Sequence, residues 1–220
     1  MGNNMKNIKK LLSSVVATSV LLTSNVTIAK EAPFAIVIHG GAGTISKKNF
    51  TPEKEKAYRA KLQEAVETGY AILDKGGESL DAIAAAIKIL EDAPMFNAGK
   101  GAVYTYNKTH ELDASIMDGK TRQAGAVAGV RRIQNPIDLA RLVMDKSVHV
   151  MLSGDGAEDF AQTQGVQLVN NSSFDTEGRY KSLLRAKEKM KKAAKSKIDY
   201  QAAHQALDVE YKVGTVGAVA

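Results

Sequence analysis

Seven consecutive residues, Ala124-Gly125-Ala126-Val127-Ala128-Gly129-Val130, hold nothing larger than valine. The run reads as a strand whose alternating tiny side chains invite another layer to pack closely on it. A second apolar run, Phe34-Ala35-Ile36-Val37-Ile38, is short, continuous and β-rich, and reads as a buried strand. It enters His39-Gly40-Gly41-Ala42-Gly43, where the three glycines require a backbone that turns sharply or lies against another element. A dinucleotide fingerprint fails here: Ile45-Ser46 stands where the third glycine belongs, and no helix opens directly after it. No Lys-Ser/Thr pair follows in P-loop register either, which argues against a nucleotide-binding α/β domain. His39 by itself is read as a turn or packing residue.

Helices fill the space between strands. Thr51-Pro52 supplies an N-cap type and a first-turn proline, Tyr58, Leu62, Ala65, Val66, Ile72 and Leu73 make an inward face, and Gly76-Gly77 ends the helix. Ser79 is expected to cap a second, nearly all-apolar helix from Leu80 to about Glu91, which Pro94 stops. The loop Pro94-Met95-Phe96-Asn97-Ala98-Gly99-Lys100-Gly101 is rich in small residues. Such a turn can aim several carbonyls at one point, which suits a hard cation; on composition alone the plain connection is the favoured reading. Gly101–Thr105 reads as a strand, with His110–Asp118 as its hairpin partner across Tyr106–Thr109. Asp113 and Asp118, five apart on a strand, point to opposite faces and read as ladder and turn residues rather than an acid/base pair. Further on come a helix Ile137–Lys146, a strand Val148–Leu152, a tight turn Gly154-Asp155-Gly156, a short helix Ala157–Thr163 stopped near Gly165, and a turn Asn170–Ser173.

Charge and composition exclude several classes. The chain has 30 basic and 24 acidic residues, but Lys181–Lys197 holds eight of the former and one of the latter. The remainder carries 22 against 23, so the positive balance belongs to one basic helix or solvated linker, not to a nucleic-acid-binding surface. The segment from about Lys187 to Val213 is expected to be mobile and easily cut. His39, His110, His149 and His204 lack metal-ligand spacing, which argues against zinc. The absence of cysteine removes disulfides and thiolate chemistry. Lys6, Lys9 and Lys10, the Ser/Thr-softened apolar stretch Leu11–Leu22 and Thr27-Ile28-Ala29 before Lys30 form the pattern of a secretory signal peptide over residues 1–29. A periplasmic or secreted protein is expected, with no membrane attachment once the signal is removed.

Near the end stands Gly214-Thr215-Val216-Gly217-Ala218-Val219. By itself this is an ordinary buried strand. A threonine hydroxyl becomes a nucleophile when a base takes its proton, and a chain-terminal threonine carries that base in its own α-amine, whose ordinary pKa is about 8. Here the amine is locked in the Gly214–Thr215 peptide bond, so such chemistry requires that bond to be cut first.

Taken together and in order, the motifs His39–Gly43, Phe96-Asn97-Ala98-Gly99-x-Gly101, His110-Glu111-Leu112-Asp113-Ala114, Ala124–Val130 and Gly214–Val219 make Phe34–Ala220 resemble the isoaspartyl peptidase/L-asparaginase family, the plant-type asparaginases among the N-terminal nucleophile hydrolases. The resemblance implies an α+β fold, a four-layer αββα sandwich, of which residues 30–214 are the α-subunit and 215–220 the start of the β-subunit. It implies self-cleavage at Gly214–Thr215, with Thr215 as nucleophile and with Gly41, Gly43 and Asn97 near it. It implies a structural sodium ion on the main-chain carbonyls of Leu90, Glu91, Ala93, Phe96, Ala98 and Lys100, and no cofactor for the chemistry. The implied substrates are L-asparagine and β-aspartyl dipeptides, hydrolysed by a dimer of αβ units to release L-aspartate. Members of this family continue well beyond the threonine, through the residues that hold the substrate's α-carboxylate and α-amine. The 220 residues alone are therefore expected to be inactive; the competing expectation is a non-catalytic secreted module that only binds.

Overall fold

A computed structural model describes residues 33–41, 51–195 and 215–220. The signal-peptide stretch, Gly43, Gly214 and the part of the expected linker beyond Lys195 lie outside the described residues. Strand β1 (Val37–His39) pairs antiparallel with β5 (Gly217–Val219), in the register Val37↔Val219, Ile38↔Ala218 and His39↔Gly217. A second sheet has the order β2-β3-β4, from Leu112–Met117, Ala124–Val130 and Met151–Ser153; β2 and β3 are antiparallel, β3 and β4 parallel. Helices α1 (Pro52–Asp74) and α2 (Ser79–Glu91) pack on each other and on the β1–β5 ribbon. Helices α3 (Pro136–Lys146) and α4 (Gly154–Thr163) pack on the three-stranded sheet, and α5 (Glu177–Lys195) follows. The fold is α+β, with helices backing each of two sheets.

The tiny-residue strand does what its composition requires. A Cβ on Gly125 would stand 2.1 Å from the carbonyl oxygen of Ala140 and 2.5 Å from the amide nitrogen of Met144, so α3 lies directly on the β3 backbone. Leu139, Ala140 and Val143 of α3 are fully enclosed there with Val127, Val130 and Ile116. Gly69 does the same between α1 and α2, its missing Cβ meeting Ile36 and the carbonyl of Ala82. Thr51 caps α1 as its type suggests, its Oγ1 accepting from the Lys54 amide at 3.3 Å, and Gly76 at φ 76° turns the chain out of it.

Several expectations shift. Residues 102–105 form no strand: Gly99–Gly101 is a turn of 3-10 helix, and the partner of β2 is β3. Thr105 and Thr109 close a turn on themselves, with Lys108 at φ 64°, so the backbone groups there are satisfied locally. Ser79 is inside α2; Glu78 holds the cap position without a side-chain bond. The β4 strand begins only at Met151, and Gly154-Asp155-Gly156 opens α4 rather than forming a separate turn. Residues 187–195 continue α5, so the described start of the expected linker is helical. Strand β1 is half-buried, with Ile36 and Ile38 inward and Val37 and His39 exposed. Asp113 and Asp118 are ladder and turn residues: Asp113 Oδ1 accepts from the Gly129 amide at a β-bulge, and Asp118 accepts from Lys120 and Thr121. That Thr121 hydrogen bond, ahead of the Lys120 amide, holds the Asp118 carboxyl below its ordinary range.

The connection from β3 to α3 closes over a buried carboxylate. Glu158 of α4 is 1% exposed and accepts from the Arg131 amide, the Arg132 amide and Arg132 Nε at 2.6, 2.8 and 2.6 Å. Burial pushes its pKa up, but the three donors outweigh that and leave it below the ordinary 4.5. Its contribution is thus present above the unfolded-state value and lost as pH falls through the lower folded value. Glu158→Gln is expected to lose about 2–3 kcal/mol at pH 7, a loss that shrinks as pH falls from the unfolded-state carboxylate range through the lower folded value; denaturant melts of both proteins across pH check this.

Candidate active site

Between the two sheets lies a cleft of about 770 Å3. One wall is Thr215, Val216, Gly217 and Ala218; the other is β2 and β3, through Leu112–Ser115 and Ala126–Ala128. Its floor comes from α2 and from the loop that follows, through Glu91, Asn97, Ala98 and Gly99. Thr215 and Asn97, 118 positions apart in sequence, therefore line one cavity. Thr215 is exposed and precedes β5 by two residues. Gly41, at φ 100°, follows β1 by two residues; continuing the observed register would set it opposite Thr215. Gly40 beside it has no room for a Cβ, which would meet Leu62 at 2.9 Å and Phe96 at 3.2 Å. The glycine turn thus seats on α1 and on the loop that carries Asn97. Gly43 and Gly214 fall outside the described residues.

That loop is wound unusually tightly. Phe96 is 1% exposed, enclosed with Ala65, Ala86, Leu90 and Ala93. A Cβ on Gly99 would stand 2.3 Å from the Glu91 carbonyl oxygen, and one on Gly101 would stand 1.9 Å from that of Phe96 and 2.8 Å from that of Pro94. Only glycine lets carbonyls crowd inward like this. Those of Ala93 and Ala98 accept from the amides of Phe96 and Gly101, leaving each oxygen a second lone pair, while that of Leu90 accepts from both Asp92 and Ala93. The donor set is neutral oxygen, which fits a hard monovalent cation better than a transition metal. Among the described residues, no group of three or more His, Asp or Glu side chains is placed to hold a metal.

The loop is clamped from outside. Tyr58 Oη donates to the Met95 carbonyl at 2.6 Å, and Arg179 Nε of α5 donates to the Gly101 carbonyl at 2.6 Å. Burial holds the Arg179 guanidinium below its ordinary range and pushes the Tyr58 phenol up. Asn97 Oδ1 accepts from the Val103 amide at 3.0 Å, which fixes how the side chain leaves the loop. Glu91 is 4% exposed; its Oε1 accepts from the Ile137 amide at the start of α3, and burial pushes its carboxyl up to about 8. Burial thus biases this cleft carboxyl toward its protonated form. Its side-chain place was not legible from the sequence, where Glu91 appears as a helix-end residue; the only signal is a charged residue closing an otherwise apolar helix.

Among the described residues lining the cleft there are three carboxylic acids, Glu91, Glu111 and Asp113, and no lysine or arginine. The site can present a hydroxyl, an amide and a close backbone.

Residues 32–220 match the family described as Asparaginase. The chain is 48% identical over 185 residues to the isoaspartyl peptidase of Escherichia coli (strain K12), a match covering 84% of this chain and 56% of that protein. It is 44% identical over 188 residues to the Homo sapiens isoaspartyl peptidase/L-asparaginase, covering 86% and 56%, and 42% identical over 190 residues to that of Mus musculus, covering 86% and 53%. The chain spans about half the length of these curated relatives.

The tight loop generates a direct test. Gly101→Ala is expected to cost about 1–3 kcal/mol, because its Cβ meets backbone rather than a movable side chain. Gly119→Ala, where a Cβ meets nothing within 4 Å, is expected to stay within about 0.5 kcal/mol of the parent. Thermal unfolding of the two variants side by side measures the difference.

Proposed function

Because the chain belongs to the Asparaginase family, a family of N-terminal nucleophile hydrolases, we propose that it is an autoprocessing threonine amidohydrolase acting on L-asparagine and β-aspartyl dipeptides. The observation that carries the reading is the shared cleft: Thr215 and Asn97 line one cavity, beside the ribbon that joins the glycine turn to the threonine. In the proposed reaction the Gly214–Thr215 bond is cut, which frees the threonine amine. That amine takes the Oγ proton as Oγ attacks the substrate's side-chain carbonyl. The C–N bond then breaks, and the departing ammonia or amine carries the proton away. An aspartyl ester remains on Thr215, and a water molecule hydrolyses it, releasing L-aspartate and restoring the hydroxyl. A base of pKa about 8 is well matched to this work near neutral pH. Gly41 and Gly43 are proposed to let the backbone next to the scissile bond distort during cleavage.

The same reading assigns a sodium ion to the carbonyls of Leu90, Glu91, Ala93, Phe96, Ala98 and Lys100, where it would hold the loop's shape; the crowding at Gly99 and Gly101 supports this. It also assigns a signal peptide ending near Ala29, export to the periplasm or beyond, and assembly of αβ units into a dimer. The cleft's lack of a cation among described residues supports a further part of the reading. Among the described residues lining the cleft an asparagine α-carboxylate finds no cation, and the α-part alone is proposed to be inactive.

Expression of the complete gene product, wild type and Thr215→Ala, tests the reading by intact mass and by aspartate release. Two fragments whose junction is Gly214–Thr215, with turnover of asparagine, are expected from wild type; one intact, inactive chain is expected from the variant. A wild-type product that stays whole and inert would leave only a non-catalytic binding module.

A further inference from the structure

Val103, which closes the tight loop, is gripped at both backbone groups. Asn97 Oδ1 takes its amide at 3.0 Å, and on the carbonyl side stands His110 Nδ1 at 3.2 Å. A carbonyl only accepts, so Nδ1 is the donor. The imidazole is fully buried, lying 4.1 Å from the Tyr104 ring and 6.0 Å from that of Phe174, centroid to centroid. Its Nε2 lies 3.1 Å from Asp175 Oδ1. Asp175 is in turn hydrogen-bonded by the Tyr104 hydroxyl, whose pKa is pushed up to about 12 by burial and then by that carboxylate. Asn171 exchanges two hydrogen bonds with the His110 backbone, at 2.9 Å each, and donates a further one to the Arg131 carbonyl. The short stretch Asn171–Arg179 therefore holds the loop through His110 and, by Arg179, through Gly101.

We propose that His110 is a positioning residue for Asn97: its Nδ1 proton holds the Val103 carbonyl so that the Val103 amide fixes the Asn97 side chain on the cleft beside Thr215. The proposal rests on Asn97 serving the reaction proposed above. Holding a side-chain amide in one rotamer matters because a polar group that must be ordered at each turnover contributes less than one already in place.

The donor at Nδ1 separates this role from mere packing. In the complete gene product, His110→Asn places its amide nitrogen near the Nδ1 position, whereas His110→Gln places it near Nε2. The readouts are amide hydrogen exchange over Asn97–Thr105 and steady-state asparagine kinetics. His110→Asn is expected to keep both exchange and kcat within about threefold of wild type. His110→Gln is expected to speed exchange about tenfold and lower kcat about tenfold at unchanged KM, the size of one lost hydrogen bond. Asp175→Ala, at a half-exposed position that the fold tolerates more readily, is expected to speed exchange severalfold. Equal exchange in the Asn and Gln variants, no response to Asp175→Ala, or a loosened loop with unaltered kcat would each overturn the assignment. If wild type itself fails to release aspartate, the catalytic reading and the kinetic role fall together, and the exchange arm still decides whether His110 holds the loop.

Discussion

The pairing of β1 with β5 joins residues 178 to 182 positions apart, and the site is arranged around that joint. Closing so long a loop carries an entropy cost that grows slowly with length, but it must be offset by burial where the ends meet. Val216 and Ala218 provide it: each packs against both hydrophobic clusters, the one under α3 and α4 and the one between α1, α2 and Phe96. The strand that follows the candidate nucleophile is thus wedged between the halves of the core. Where Thr215 stands is set by the fit of the two apolar side chains that follow it, Val216 and Ala218.

Close backbone approach is the second organising device. Gly125 admits α3, Gly69 admits α2, and Gly99 and Gly101 admit carbonyls of their own loop. At Gly125, Gly99 and Gly101 a methyl group would collide with backbone, which has nowhere to go in a core packed at crystal-like density. The loop bearing Asn97 is consequently stiff before anything binds. It is then clamped by Tyr58 from α1, by Arg179 from α5 and by His110 from the lead into β2. The proposed carbonyl cage would draw on this winding, because only glycine at 99 and 101 admits the carbonyls of Glu91, Pro94 and Phe96 so close.

Much of the architecture was legible because it is written in steric extremes. A run with nothing above valine can only be a strand under a close layer, and β3 is that. Threonine followed by proline can cap and open a helix, and α1 begins there. The segment 102–105 misled for a physical reason: its Val, Tyr and Thr favour strands, but its backbone groups are claimed by Asn97, His110 and the Thr105–Thr109 turn. A propensity for pleated backbone does not decide where hydrogen bonds go when a tight loop already offers partners. Glu158, His110, Asn171 and Asp175 are not legible as site-supporting residues because their partners lie far along the chain, 61 and 65 positions for the contacts of His110 with Asn171 and Asp175. No local spacing announces such pairs.

The order of small-residue motifs along the chain was enough to determine the family resemblance, the α+β class and the candidate threonine, since glycine and valine constraints are local and survive without a partner. The shared cleft, the register that would bring Gly41 opposite Thr215, the burial of Glu91 and the grip of His110 on Val103 belong to the tertiary structure. They depend on which surfaces meet after the chain has closed on itself, and a distance between residues far apart in sequence exists only once packing has chosen it.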